Sequence, residues 1–386
     1  MNTIFLDYQA STPLHPAVLE VMLPYLTTFY TNPHSSDHIL GWQSHQAIQS
    51  ARGQIAQAIN ADSDEIVFTS GATEANNLAI QGLKRSLESS GKTTIVTSAI
   101  EHKCVLSCFA YLEQEGFTVI ELPPNPEGII DPSSLQSLNH KNIGLVSIML
   151  VNNEIGTIQP IKELAEIAHS KGAIFHTDAA QAPVFLPIDV QDNCVDLLSL
   201  SGHKFYGPKG VGALFIKRDV RPQLNPIMHG GGQEDGLRSG TLPTALCVGF
   251  GEAITLITRD MTKNRLALSE LSYGFFKTLS HQLSDITING SSTQRHPGNL
   301  NIHFPDFDAR DLLQSLQPNI AASTGSACST GVEEPSYVLT ALGLSTTEAS
   351  ESIRFSFGID QTKDIIKEAA TFISAKVLER RELMSL

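Results

Sequence analysis

Seven apolar, β-rich runs separated in the main by helical segments restrict the architecture available to this chain. The runs cover residues 65–68, 94–97, 117–120, 144–150, 173–176, 196–200 and 211–216. Helical patterns stand between most of the earlier ones; in 161–171, for instance, Leu164, Ile167 and Ala168 share one face. Strands alternating with helices predict an α/β domain whose open, mostly parallel seven-stranded sheet is covered on both sides. In such sheets ligands bind outside the carboxyl ends of the strands.

The polar clusters of the sequence fall at those ends. Ser70-Gly71-Ala72-Thr73-Glu74 follows the first run, Glu101-His102 the second, Asn152-Asn153-Glu154 the fourth, and Asp178 and Lys204 the fifth and sixth. The last two lie in His176-Thr177-Asp178-Ala179-Ala180-Gln181 and Ser201-Gly202-His203-Lys204. An aldehyde cofactor with a ring nitrogen, pyridoxal phosphate, requires both groups: an amine to hold its aldehyde and an anion to keep its pyridine nitrogen protonated. Two unit charges about 4 Å apart at an effective dielectric near 20 interact by roughly 4 kcal/mol, or about three pKa units on the ring nitrogen. A neutral Asn or Gln in place of Asp178 could not hold the ring cationic at neutral pH. An isolated Asp or Lys is more often a cap or a solvated surface residue; here the surrounding clusters argue otherwise.

Ser70-Gly71-Ala72-Thr73 is a small turn opening a helix, where free N–H groups form an anion site. It is assigned the cofactor phosphate over an ordinary N-cap, which makes Ala72 and Thr73 cofactor-binding residues. Competing phosphate motifs fail: Gly91-Lys92-Thr93 looks like the end of a P-loop, but Ser86 stands where its first glycine belongs, and there is no G-x-G-x-x-G. His229-Gly230-Gly231-Gly232 resembles a lipase oxyanion loop, yet no G-x-S-x-G accompanies it, which disfavours a serine hydrolase.

At 386 residues the chain is long enough for two domains. Past about Ile257 the pattern changes to a long polar helix and short mixed elements at 287–289 and 299–302, which sets a boundary near 258–264. The net charge of −14 would repel polyanions, so neither nucleic acid nor an acidic membrane is expected as a partner. The first residues lack a basic region and reach Asp7 before an apolar stretch forms, no run approaches a membrane-spanning length, and the five cysteines are odd in number. Together these predict reduced thiols and a cytoplasmic location. Cys104 and Cys108 sit a helical turn apart with no second pair to complete a zinc site, so no metal is expected; they, Cys194 and Cys247 read as core or boundary residues.

These residues carry a resemblance. The chain resembles NifS/IscS-type cysteine desulfurases, class V aminotransferase-like pyridoxal-phosphate enzymes of the aspartate-aminotransferase-like fold, from Leu6-Asp7-Tyr8 to Ser352-Ile353-Arg354-Phe355-Ser356. The motifs are Phe68-Thr69-Ser70-Gly71-Ala72-Thr73-Glu74, Val151-Asn152-Asn153-Glu154-Ile155-Gly156, the Asp178 and Lys204 segments, His229-Gly230-Gly231-Gly232-Gln233-Glu234, Arg238-Ser239-Gly240-Thr241 and Gly325-Ser326-Ala327-Cys328-Ser329. The resemblance implies a large cofactor-binding domain over 15–260, and a smaller α+β domain over 1–14 and 261–386 that carries the Cys328 loop. Lys204 would hold the aldehyde, Asp178 would pair with the pyridinium, and Gln181 would bond the ring hydroxyl. His102 would stack on the ring and assist proton transfer. Thr73, Ser201 and His203 would bind phosphate together with Thr241 from a neighbouring subunit, implying a homodimer. Asn153, also counted among the cofactor-binding residues, and Arg354 would hold the substrate carboxylate, Arg354 through a bidentate fork.

Cys328 selects the reaction. It lies in residues 321–331, a run of small side chains with almost nothing apolar to pack, which suits a mobile loop better than a buried structural thiol. The implied chemistry converts L-cysteine to L-alanine: Lys204 removes the Cα proton as general base, and the Cys328 thiolate attacks the substrate sulfur to become a persulfide. A sulfur-acceptor protein, such as an iron–sulfur scaffold, would follow. An aminotransferase or a selenocysteine lyase would share Lys204, Asp178 and Arg354, though the aminotransferase has no use for Cys328. A scaffold protein that binds no cofactor would lack a borohydride-trappable adduct on Lys204. Gln9 and Ser11 depart from residues common in the best-known relatives, near the expected substrate mouth.

Overall fold

The computed structural model describes residues 3–325 and 335–384. Its strands run in chain order β1 (Ile4–Phe5), β2 (Ile66–Thr69), β3 (Thr94–Ser98), β4 (Thr118–Leu122), β5 (Ile143–Ser147), β6 (Ile174–Asp178), β7 (Leu197–Ser201) and β8 (Gly212–Ile216). After these come β9 (Thr287–Asn289), β10 (Asn299–His303), β11 (Ile320–Ala321) and β12 (Ser352–Ser356). The central sheet has seven strands in the order β2-β8-β7-β6-β5-β3-β4. It is parallel except at β8, which runs antiparallel to both β2 and β7.

The strands read as near-continuous apolar runs because both faces are covered. Side chains alternate at a period of two, so Val67, Ile95, Leu145, Leu197 and Leu214 enter one core while Phe68, Val96, Val146, Leu198 and Phe215 enter the other. Helices α1 (Pro16–Thr27) and α2 (Ile39–Ala58) pack with Thr244–Arg259 on the Phe68 side. On the Val67 side, α3 (Ala72–Gly82) packs with α5 (Lys103–Gln114), and the short α4 (Lys84–Ser90) follows α3.

All seven predicted runs are strands, but the fourth is shorter than the expected 144–150. β5 ends at Ser147, and the chain then bends towards the site while its amides still bond β6, Ile148 to the His176 carbonyl at 3.1 Å and Leu150 to that of Asp178 at 2.9 Å. There a Glu101 side-chain oxygen accepts the Met149 N–H at 2.8 Å. Towards the C-terminus, β12, β10 and β9 form an antiparallel sheet in that order, and Phe275 of helix Met261–Gln282 packs on Phe355 and Phe357 at 5.0 and 5.1 Å. The N-terminus joins this half of the molecule, since β1 pairs parallel with β11 and Asp7 bridges Ser356.

Candidate active site

Asp178 is the last residue of β6 and Lys204 closes the single turn that follows β7, so two adjacent parallel strands deliver them side by side at their carboxyl ends. The Asp178 carboxylate is buried and accepts the Ala180 N–H at 2.9 Å and the Asn76 side-chain amide at 2.6 Å. Behind it on the same strand, His176 lies between the hydroxyls of Ser147 and Ser199, at 2.8 and 3.1 Å. Burial pushes its imidazole down to about 4 against the pull of Asp178, so it stays neutral.

Lys204 Nζ donates to the carbonyls of Gln9 and Ala10 at 2.7 and 2.9 Å. The Gln181 amide donates to the same Gln9 carbonyl at 3.0 Å. His102 caps α5, and its Nδ1 accepts the Cys104 N–H at 3.2 Å, which leaves the proton of the neutral ring on Nε2. Burial is the main cause that lowers its pKa; Asp178 opposes the shift, and Lys204 and Lys103 reinforce it.

The Ser70–Thr73 turn, where the sequence places the phosphate, opens α3. Gly71 adopts φ 153°, which L side chains rarely adopt, and α3 begins there without a side-chain cap, so its first N–H groups are not claimed by a capping side chain. Beneath the turn is another glycine: a Cβ at Gly212 would lie 2.6 Å from Gly71 Cα and 2.5 Å from the Leu200 carbonyl oxygen. Ser201 Oγ is 3.6 Å from where a Gly71 Cβ would stand. His203, two residues on, is pushed down to about 4, chiefly by burial and then by Lys204 and Lys209. Thr73 sits in the first turn of α3, next to Ala72.

Asn153 and Arg354 meet on the opposite side. Arg354 is buried, and its Nη1 donates to the Asn153 carbonyl at 2.8 Å. Its Nη2 is paired with Asp7 at 2.5 Å, so the fork expected to take the substrate carboxylate already holds one protein carboxylate. Each Nη keeps a second N–H, Arg354 Nε is buried and without a partner, and Asn153 Oδ1 is likewise buried and unpartnered.

Thr241 is exposed at the end of a loop secured twice to the phosphate turn. Arg52 and Glu234 form a buried pair that also takes the Phe68 N–H, and Arg238 pairs with Glu74, which accepts the Ser70 N–H at 2.7 Å. Cys328 lies outside the described residues. Of its described flanks, Ser336 Oγ donates to the Glu154 side chain at 2.5 Å, and a Cβ at Gly325 would lie 3.0 Å from the same oxygen.

Several lining residues carry no role in the sequence reading. Asn76 was detectable only as a polar residue on the apolar face of α3, and Asp7 as a charge inside an N-terminal strand segment. Cys104, read as a boundary residue, has its sulfur 3.0 Å from His102 Nδ1 and 3.2 Å from Asn76. Burial pushes that thiol up to about 12, which rules it out as the ready nucleophile.

The donor set fits pyridoxal phosphate: an uncapped helix start with a glycine cradle, an amine, a buried carboxylate across from it, and orphaned polar atoms where a carboxylate-bearing substrate would sit. A family model described as aminotransferase class-V matches residues 4–368. The chain is 45% identical over 383 residues to cysteine desulfurase IscS of Rickettsia bellii, spanning 99% of this chain and 93% of that one; the Rickettsia massiliae counterpart is 44% identical over the same spans. Among solved structures, a NifS-like protein superposes with a TM-score of 0.90 at 31% identity, covering 97% of this chain and 99% of the other. SspA in complex with cysteine superposes with a TM-score of 0.81 at 41% identity, covering 92% and 99%.

Proposed function

As a member of the class-V aminotransferase family, in its NifS/IscS branch, the chain is a pyridoxal-phosphate-dependent cysteine desulfurase, and we propose that the sulfur it removes passes to Cys328 as a persulfide. The observation that carries this reading is the delivery of Asp178 and Lys204 by neighbouring strands to one end of the sheet, beside the uncapped start of α3.

Bound there, pyridoxal phosphate supplies an electron-accepting ring for the pair released at the substrate Cα. Lys204 Nζ would hold the cofactor aldehyde, and its free amine would take the substrate Cα proton as general base. Asp178 would pair with the ring nitrogen, Gln181 with the ring hydroxyl, and Ala72, Thr73, Ser201 and His203 would hold the phosphate. His102, neutral with its proton on Nε2, covers the ring and moves protons at that atom. Asn153 and Arg354 hold the substrate carboxylate. The Cys328 thiolate attacks the substrate sulfur; the carbon–sulfur bond breaks, its electron pair stays with carbon, and a sulfur–sulfur bond forms. The net change is L-cysteine plus the Cys328 thiol to L-alanine plus the Cys328 persulfide.

The large domain is residues 15–260, and residues 1–14 and 261–386 make the smaller one; the pairing of β1 with β11 supports this division. The active form is a homodimer in which Thr241 reaches the partner's phosphate site. In its support, Leu19, Leu23 and Leu26 of α1 and Ile39, Leu40 and Trp42 of α2 are all exposed. The terminal acceptor is a protein such as an iron–sulfur scaffold, and the location is cytoplasmic, in keeping with the four free cysteines among the described residues.

The test is incubation of the purified holoenzyme with 35S-labelled L-cysteine. Alanine should appear in step with label that is bound to protein and released by thiol, and Cys328→Ser should abolish the bound label. Release of sulfide by Cys328→Ser at the wild-type rate, or transfer of the amino group to a keto acid in place of alanine formation, would refute the reading.

A further inference from the structure

We propose that Asp7 is a positioning residue for the substrate carboxylate, holding the Arg354 guanidinium in one orientation and offsetting its charge so that substrate and product bind reversibly. The inference rests on the reading that Arg354 receives that carboxylate.

The pair is built by backbone register. Leu6 donates its N–H to the Ala321 carbonyl at 2.7 Å and accepts the Ser356 N–H at 2.8 Å, so the Asp7 segment lies directly along β12, and Arg354 is two residues before Ser356 on that strand. Asp7 Oδ1 then stands 2.5 Å from Arg354 Nη2. The arginine side chain is 4% exposed and the aspartate 18%, so Asp7 is the more solvent-facing partner of a buried cation.

Two of the three guanidinium nitrogens thus have protein acceptors, Asp7 and the Asn153 carbonyl. Each Nη keeps a second N–H, and with the buried, unpartnered Nε these three N–H groups are left for an incoming anion. A guanidinium that already holds one carboxylate attracts a second less strongly, because the new anion is repelled by the first. Asp7 therefore trades affinity for a single orientation and for release of product. Neither its neighbours in sequence nor the polar clusters at the strand ends signal this role; it follows from two segments 347 residues apart.

The holoenzyme is titrated with L-alanine, the product, and the change in cofactor absorbance is followed. Asp7→Asn keeps an acceptor facing Nη2 but removes the charge, and should bind L-alanine roughly tenfold more tightly than wild type. The KM for L-cysteine should fall without a rise in kcat. Asp7→Ser, also neutral and able to accept, should show the same gain, and Asp7→Glu should restore wild-type affinity. Cofactor absorbance per protomer and the thermal midpoint are recorded for each to separate folding from binding. Arg354→Gln serves as the control and should weaken L-alanine binding. Unchanged or weaker L-alanine binding in both Asp7→Asn and Asp7→Ser, alongside a weakened Arg354→Gln, would overturn the role of Asp7. Unchanged binding in Arg354→Gln would instead overturn the assignment of the carboxylate to Arg354.

Discussion

Replacing Glu234 by alanine tests how the phosphate turn is held. The Glu234 carboxylate accepts Arg52 Nη1 and Nη2 at 2.8 and 2.6 Å and the Phe68 N–H at 2.8 Å, while Arg52 also donates to the Ile66 carbonyl at 2.5 Å and lies 4.9 Å from the Phe68 ring. Its removal leaves a guanidinium whose side chain is 11% exposed without a counter-ion, and a β2 amide without an acceptor. Breaking a buried pair from one side costs about 3–5 kcal/mol, against a total stability for a typical protein of about 5–15 kcal/mol. Removing both charges with Arg52→Met and Glu234→Leu leaves no stranded ion and should recover most of that loss. Equilibrium urea unfolding followed by far-UV circular dichroism measures both variants. Because β2 leads directly into the Ser70 turn, pyridoxal phosphate should also dissociate faster from Glu234→Ala and near normally from the double variant. A cost below about 1 kcal/mol for the single change, or a double variant as unstable as the single, would refute the reasoning.

Other perturbations probe separate parts of the site. Gly212→Ala places a Cβ 2.5–2.6 Å from backbone on two sides, so the Gly71 turn must shift; a loss of about 1–3 kcal/mol and weaker cofactor retention are expected from unfolding and dialysis. Asp178→Asn should leave a borohydride-trappable adduct on Lys204 yet slow turnover by roughly a thousandfold, the equivalent of about 4 kcal/mol, and a change under tenfold would count against the ring–carboxylate pairing. Glu101 is held as an acid by burial, its pKa raised from 4.5 to about 8. Since the folded value is the higher, its contribution is fully present below the unfolded pKa near 4.5 and is lost as pH rises through about 8. Between pH 5 and 8.5, wild type should therefore lose on the order of a few kcal/mol more than Glu101→Gln, and parallel stability curves for the two would contradict this.

The sequence is legible where the information is local. The sheet strands could be found because both faces of each are buried, so their apolar character does not depend on which neighbour they pair with. Asp178, Lys204 and the Ser70 turn could be found because strand ends are where a parallel sheet exposes backbone and side chains to a ligand. The antiparallel insertion of β8 between β2 and β7 was not legible, since strand direction leaves no mark on an apolar run. The early end of β5 was hidden for a related reason: residues 148–150 stay apolar and hydrogen-bonded, and only the Met149 N–H turns to the buried Glu101 side chain.

Sequence alone determined the fold class and brought out Asp178 and Lys204, the pair proposed to flank the cofactor, because periodicity and position after a strand are properties of short stretches of chain. Tertiary structure alone decided that the Asp7–Thr12 segment threads through the site. There Asp7 meets Arg354, the Gln9 carbonyl receives Lys204 and Gln181, and the Gln9 side chain accepts the Asn299 amide. No local pattern encodes those meetings. They follow from β1 adding to the edge of β11, a pairing made by backbone hydrogen bonds that any side chains of suitable shape would permit.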